Sequence, residues 1–319
     1  MPNIALLNYC NLHCPYCFAN EYIEEKKQII TLEQLDYILE FCSRSKPSRI
    51  GLIGGEPTLH PQIDAIIKRV EAYCQERKTH WSIFSNGIEL SKIIPYLSTK
   101  SHGGCLLNLN HPQIVGDIQW KKIMKSLNRA QLLDCLDKIN LGINLYPDMI
   151  DFDYIIEVAK KYNKDSLRVS YVAPTCDYKG VDKDAYYQQA KLTFLQFAIA
   201  AKANNIQLRI DCNHVPYCYF TEEEKALMAE TVTNWHNYCN PVVDISPDFK
   251  GSSCFGAYDL VDLNDFETLE EAERYFMLRK MWPLAQQNSA GKCADCDKFK
   301  NTTCQGGCLA FAKYSNFGL

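Results

Sequence analysis

The chain has 319 residues, 47% of them hydrophobic, with a formal net charge of −4. That is enough apolar material for a barrel-sized domain and a smaller companion. No apolar run is long enough to cross a membrane. The N-terminus lacks the basic flank and long apolar stretch of a secretory signal. No basic block is present, so a nucleic-acid partner gains no electrostatic footing.

Sixteen cysteines in a secreted chain would suggest disulfides. Short spacings and the missing signal point instead to metal ligation in a reducing cytoplasm.

In chain order, the first strand-like run is Ile4–Asn8. It enters CNLHCPYC, where Cys10, Cys14 and Cys17 have the spacing Cys-x3-Cys-x2-Cys and no fourth cysteine lies nearby. Three thiolates leave one corner of a four-iron cluster without a protein ligand, free to bind a substrate or cofactor. A structural zinc would need a fourth ligand. His13 is the local candidate, but its adjacency to Cys14 works against both residues reaching one metal.

Thr31 and Gln34 form a capping box ahead of the helix LEQLDYILEFC. The strand Ser48–Ile53 leads into Gly54-Gly55-Glu56-Pro57, and Pro61 suits the first turn of the helix IDAIIKRVEAYC. Further strands are expected at His80–Ser85, Cys105–Asn110, Ile139–Leu145 and Leu167–Val172, and helices at Lys121–Leu136, Ile150–Tyr162 and Asp184–Asn204. This alternation predicts parallel β/α units. Six units make an α/β fold built as a partial (β/α)6 barrel, TIM-like but open. Working loops in such barrels sit at the C-terminal strand ends. The cysteine loop follows the first strand and Gly54–Pro57 the second, so both fall on that face.

Residues 206–319 change character. They carry Cys212, Cys218, Cys239, Cys254, Cys293, Cys296, Cys304 and Cys308, with Gly306-Gly307 just before the last. Pro247 and Gly251 suggest a hairpin between Cys239 and Cys254. The expected division is a barrel at 1–205 and a small cysteine-rich domain at 206–319. Cys293, Cys296, Cys304 and Cys308 have spacing that also allows a zinc knuckle. Cys42, Cys74, Cys105 and Cys135 read as buried packing residues.

CNLHCPYC, with Tyr16 at the aromatic position, resembles the signature of the radical S-adenosylmethionine (radical SAM) enzymes. Gly54-Gly55-Glu56-Pro57 resembles the turn after their second strand. The resemblance implies that Cys10, Cys14 and Cys17 hold a 4Fe–4S cluster whose open iron chelates SAM. It implies reductive cleavage to a 5′-deoxyadenosyl radical that takes a hydrogen atom from the substrate.

Gly54 and Gly55 would allow close approach of the methionine group. Glu56 would accept from its ammonium group or steady the turn. Candidate SAM contacts at other strand ends are Ser85, Asn86, Asn108, Asn110 and Asn144; an ordinary hydrogen-bonding role within the protein is the alternative for each.

The C-terminal cysteines resemble the SPASM/twitch extension, which binds one or two auxiliary 4Fe–4S clusters. One partition gives Cys239, Cys254, Cys308 and one of Cys212 or Cys218 to the first cluster. Cys293, Cys296 and Cys304, with the remaining upstream cysteine, then hold the second. A single auxiliary cluster with several free thiols is the other reading. Cys176, after the sixth strand, is a candidate hydrogen-atom donor or a plain loop cysteine.

Enzymes with this extension mostly modify peptides. The expectation is therefore a ribosomal-peptide maturase in the cytoplasm under anaerobic or microaerobic conditions, with flavodoxin or ferredoxin as reductant. With no recognition segment ahead of the first strand, a separate leader-peptide-binding partner would fit. A small-molecule radical SAM dehydrogenase is the alternative. An iron–sulfur electron carrier and a zinc-stabilised binding module are the non-enzymatic ones.

Overall fold

The structure, a computed structural model, describes residues 1–17, 27–146, 149, 151–172, 182–212, 215–239, 242–254, 259–288 and 293–311. Its strands in chain order are β1 Pro2–Ala5, β2 Arg49–Ile53, β3 His80–Ser85, β4 Gly103–Asn108, β5 Ile139–Leu145, β6 Ser166–Tyr171, β7 Gln207–Ile210, β8 Val243–Ile245, β9 Lys250–Ser252 and β10 Val261–Asp262. They belong to two compact units. One comprises Met1–Asn140 with Pro241–Phe276, the other Leu141–Asn240 with Met277–Leu319.

In the first unit β8, β1, β2, β3 and β4 run side by side and parallel, and β9 and β10 extend the β8 edge antiparallel. Strand alternation sorts the two faces. Ile245, Ile4, Leu52, Ile83 and Cys105 form one cross-strand row and are fully buried. Trp81 shares that face and donates through Nε1 to Glu71 at 2.6 Å, which fixes it as the side covered by the helix Ile63–Arg77. The opposite face opens with Asp244, Asn3, Gly51, Ser82 and Gly104, a row of small and polar residues. Asn3 donates to Asp244 at 2.7 Å. A Cβ at Gly51 would lie 1.9 Å from Asn3 Oδ1 and would displace the Asn3 side chain from its bond to Asp244.

The helix Leu32–Ser43 starts at the expected capping box, with Thr31 and Gln34 bonded reciprocally. Pro61 does not open its helix. It sits in a preceding turn, and Gln62 is the N-cap of Ile63–Arg77. Pro247 and Gly251 do shape a hairpin, with β8 and β9 antiparallel across residues 246–249. β7 and β8 lie beyond the six expected strands.

In the second unit β5, β6 and β7 are parallel. The helix Lys183–Ala203 is capped by Asp182 and buries Tyr186, Tyr187, Phe194 and Phe197. The fold class is α/β with parallel β/α units.

Candidate cofactor site

Past β1 the chain stays tied to the second strand. Leu6 N–H donates to the Ile53 carbonyl at 2.8 Å, Gly55 N–H to that of Leu7 at 3.0 Å, and Glu56 N–H to that of Tyr9 at 2.9 Å. The glycines permit this contact. A Cβ on Gly54 would sit 2.4 Å from Leu7 O, and one on Gly55 2.1 Å from Tyr9 O. The close approach they allow here is thus to the backbone leading into Cys10.

Glu56 is 1% exposed, and its carboxylate is shared among protein donors. Oε1 accepts from Thr58 N at 3.2 Å, Thr58 Oγ1 at 2.6 Å and Ser85 Oγ at 2.9 Å, while Oε2 accepts from Asn86 N at 2.7 Å. Burial pushes this carboxyl up, and its bonds with Asn86, Thr58 and Ser85 oppose the shift. Glu56 therefore ties the end of β2 to the end of β3. Asn86 continues the chain of contacts. Its Nδ2 donates to Asn11 Oδ1 at 2.8 Å and lies 3.6 Å from Cys10 Sγ. Thr58 follows the Gly54–Pro57 turn and Asn11 lies within CNLHCPYC, but the spacing of those motifs marks neither residue.

The three thiols occupy one loop. Cys17 N–H donates to the Cys14 carbonyl at 3.0 Å, and Leu12 N–H to Cys10 Sγ at 3.4 Å. Burial pushes the Cys14 thiol up to about 12, reinforced by Cys17 and Cys10. The sulfurs thus feel one another, and a cationic centre is what would relieve them. Tyr16 is buried and donates to Asn110 Oδ1; Asn110 Nδ2 reaches the Asn108 carbonyl at 3.5 Å. Asn108 Oδ1 is buried and has no partner among the described residues. His13 is exposed.

Among the described residues no three His, Cys, Asp or Glu side chains converge on a position for a single metal ion. The donor set itself, three thiols with a buried carbonyl awaiting a donor, fits a sulfur-rich cluster with an adjoining hydroxyl- or amine-bearing cofactor.

Asn144 lies in the second unit and has protein partners. Its Oδ1 accepts from Arg168 Nη1 at 2.6 Å and Ser170 Oγ at 2.8 Å. Cys176 lies outside the described residues. Cys42, Cys74, Cys105 and Cys135 are buried, as expected, and none of the fifteen described cysteines is in a disulfide. Cys254 belongs to the first unit, and Cys212, Cys218, Cys239, Cys293, Cys296, Cys304 and Cys308 to the second. No helix among the described residues is long and apolar enough to cross a membrane.

Residues 4–144 match the family described as the Radical SAM superfamily. The GTP 3′,8-cyclase of Lactiplantibacillus plantarum is 27% identical over 133 residues, 41% of this chain and 39% of that protein. The mitochondrial GTP 3′,8-cyclase of Arabidopsis thaliana is 30% identical over 144 residues, 44% of this chain and 36% of that one. These matches span less than half the length of either relative.

Among solved structures, Streptococcus suis SuiB bound to S-adenosylmethionine aligns with a TM-score of 0.66 at 17% identity, covering 98% of this chain and 73% of that one. Native anSMEcpe with bound AdoMet aligns with a TM-score of 0.65 at 16% identity, covering 96% and 88%. At such identities the likeness is one of fold, and the fold is the open, partial barrel that the strand count implied. The match to the Radical SAM superfamily thus covers residues 4–144, less than half of the chain, and the two solved structures that share its fold carry S-adenosylmethionine.

Proposed function

We propose that this chain is a radical SAM peptide maturase, in which Cys10, Cys14 and Cys17 hold the cluster and the ends of β2, β3 and β4 hold SAM. The observation that carries the cofactor assignment is the clasp of Gly55 and Glu56 on Leu7 and Tyr9, which sets the cysteine loop against the C-terminal strand ends. When bound, the reduced cluster and SAM would supply a 5′-deoxyadenosyl radical for hydrogen-atom abstraction.

The protein's own part is positional. Glu56 fixes Ser85 and Asn86, Asn86 steadies the loop at Asn11 and Cys10, and Tyr16 orients Asn110. Asn108 offers its unpaired carbonyl to a cofactor hydroxyl or ammonium. The expected division into 1–205 and 206–319 then separates radical generation from an auxiliary-cluster region, with flavodoxin or ferredoxin as electron source and the cytoplasm as setting.

A peptide substrate is supported by the fold likeness, which extends over nearly the whole chain to SuiB and anSMEcpe, both also solved with peptides bound. The similarity to GTP 3′,8-cyclases favours a second reading, nucleotide cyclisation, over about two-fifths of the chain.

Anaerobically reconstituted protein with dithionite and SAM is expected to release 5′-deoxyadenosine, and Cys14→Ala to abolish it; retained activity in that variant would remove the cluster assignment. Mass spectrometry of a short peptide encoded beside this gene, with GTP in a parallel reaction, decides the substrate. A GTP-derived product with an unchanged peptide would replace the maturase reading.

A further inference from the structure

Two helices of the first unit, Leu32–Ser43 and Ile63–Arg77, flank a groove of about 310 Å³ that the cofactor site does not use. Asp36 and Glu40 stand one turn apart on the first helix, and Arg69, Tyr73 and Arg77 one turn apart on the second, so each set shares a face. At one end Arg69 Nη1 pairs with Asp36 Oδ2. At the other the guanidinium carbon of Arg77 lies 5.0 Å from the centroid of the Tyr73 ring, and Arg77 Nη2 reaches Glu76 Oε1 only at 3.8 Å.

Tyr73 lies between these ends. It is 9% exposed, and its hydroxyl is buried with no partner among the described residues. Burial pushes that hydroxyl up, and Cys42 on the facing helix adds to the shift, which sets the group between the two helices. Glu40 also faces it, and the Glu40 carboxylate has no hydrogen bond or ion pair among the described residues. A buried hydroxyl of this kind calls for an occupant.

The surroundings specify which one. Asp36 and Arg69 neutralise each other, leaving the carboxylates of Glu40 and Glu76 against the single guanidinium of Arg77. The excess is negative, so a cation is favoured. Leu39 and Ala72 add apolar surface between the polar groups. An apolar stem with a cationic head is the chemistry of lysine and arginine. Glu40, Ala72, Glu76 and Arg77 are all exposed, so the groove is open to solvent. Small molecules are held in clefts that bury most of their surface. An open groove suits a side chain carried on a polypeptide that passes over it.

We infer that this groove docks a lysine or arginine side chain of a polypeptide partner, with the stem on Leu39 and Ala72 and the head donating to Tyr73 Oη and the Glu40 carboxylate. Arg77 is the chain's own cation at that place, and the guest displaces it from the Tyr73 ring. The inference goes beyond the proposed reaction, because it requires neither cluster nor SAM.

The test is ligand-observed NMR titration of the anaerobically reconstituted full chain with the pentapeptide acetyl-Gly-Ala-Lys-Ala-Gly-amide. Counterparts carry norleucine or glutamate at the centre, and cadaverine serves as a free cation. The lysine peptide should bind about tenfold more tightly than the norleucine one, and the glutamate peptide least. Glu40→Gln should weaken the lysine peptide about fivefold and Tyr73→Phe about tenfold. Tyr73→Phe should also melt at or above the wild-type temperature, because the hydroxyl it removes has no protein partner. Arg77→Gln should bind the lysine peptide more tightly than wild type. Equal affinity for the lysine and norleucine peptides overturns the inference, as does a Tyr73→Phe protein that melts lower, since its hydroxyl would then serve the fold. Weaker or unchanged binding by Arg77→Gln removes the displacement step and the docking geometry with it. Binding of cadaverine without any peptide would make this a small-molecule site instead.

Discussion

Gly55→Ala tests the clasp directly. The new Cβ would lie 2.1 Å from Tyr9 O, 2.3 Å from Tyr9 C and 3.0 Å from Cys10 N, all backbone atoms that no rotamer change can move. The loop must retreat, and in doing so it gives up Gly55 N–H to Leu7 O at 3.0 Å and Glu56 N–H to Tyr9 O at 2.9 Å. Two lost bonds, with donors left partly desolvated, amount to roughly 2–4 kcal/mol. In a unit of about 180 residues that lowers the melting point by about 5–10 °C. The assay is a thermal melt of metal-free protein by circular dichroism, paired with iron content after anaerobic reconstitution. Both should fall, because the displaced backbone leads into Cys10. A Gly55→Ala protein that melts within a degree of wild type and takes up the same iron would refute the reasoning.

Glu56→Gln replaces an acceptor of four bonds with an amide that must turn N–H groups toward donors; apo stability should fall by about 1–3 kcal/mol in urea unfolding. If only SAM affinity fell, the tie between β2 and β3 would not be its role. Asn108→Ala removes an acceptor without a described partner, so the melt should hold or rise slightly, while SAM binding by calorimetry weakens about tenfold, or ~1.4 kcal/mol. Equal SAM affinity would exclude Asn108 from the site. Burial pushes the Asp244 carboxyl up to about 7, against the bond from Asn3. The folded state therefore holds a proton that the unfolded chain has released, and stability should decline as pH rises from about 4 to 7, by at most about 4 kcal/mol. Asp244→Asn should flatten that slope in urea midpoints measured across the range; an equally steep variant would assign the slope to other groups.

The parts of the fold that could be read in the sequence are those written in local pattern. β3 and β5 begin and end where their apolar runs do, and the Thr31 capping box starts its helix. β1 is shorter than its apolar run, because past Ala5 the chain meets another segment: Ile30 N–H donates to Leu6 O at 2.9 Å and Asn8 N–H to Gln28 O at 3.3 Å. β8 was not legible. Three residues give too little alternation to detect, and its partner β1 lies at the far end of the chain. The cysteines of the candidate site were evident from spacing. The partners of Glu56 were not, because Ser85 and Asn86 reach it only through strand pairing.

The clasp also explains why the Gly-Gly-Glu turn is informative beside the cysteines. Each glycine meets a carbonyl of the segment leading to Cys10, and every described partner of the glutamate is a protein donor. The turn thus specifies where the first cysteine stands before any cofactor arrives. A three-thiol loop left to itself would pay conformational entropy for each ligand it positions. Here part of that ordering is already made by backbone bonds at Leu7 and Tyr9 and by the Asn86 contact to Cys10. Cys14 and Cys17 keep their own tight turn. Conserving the cysteines while enlarging either glycine should therefore yield a chain with all its ligands and a weakened site.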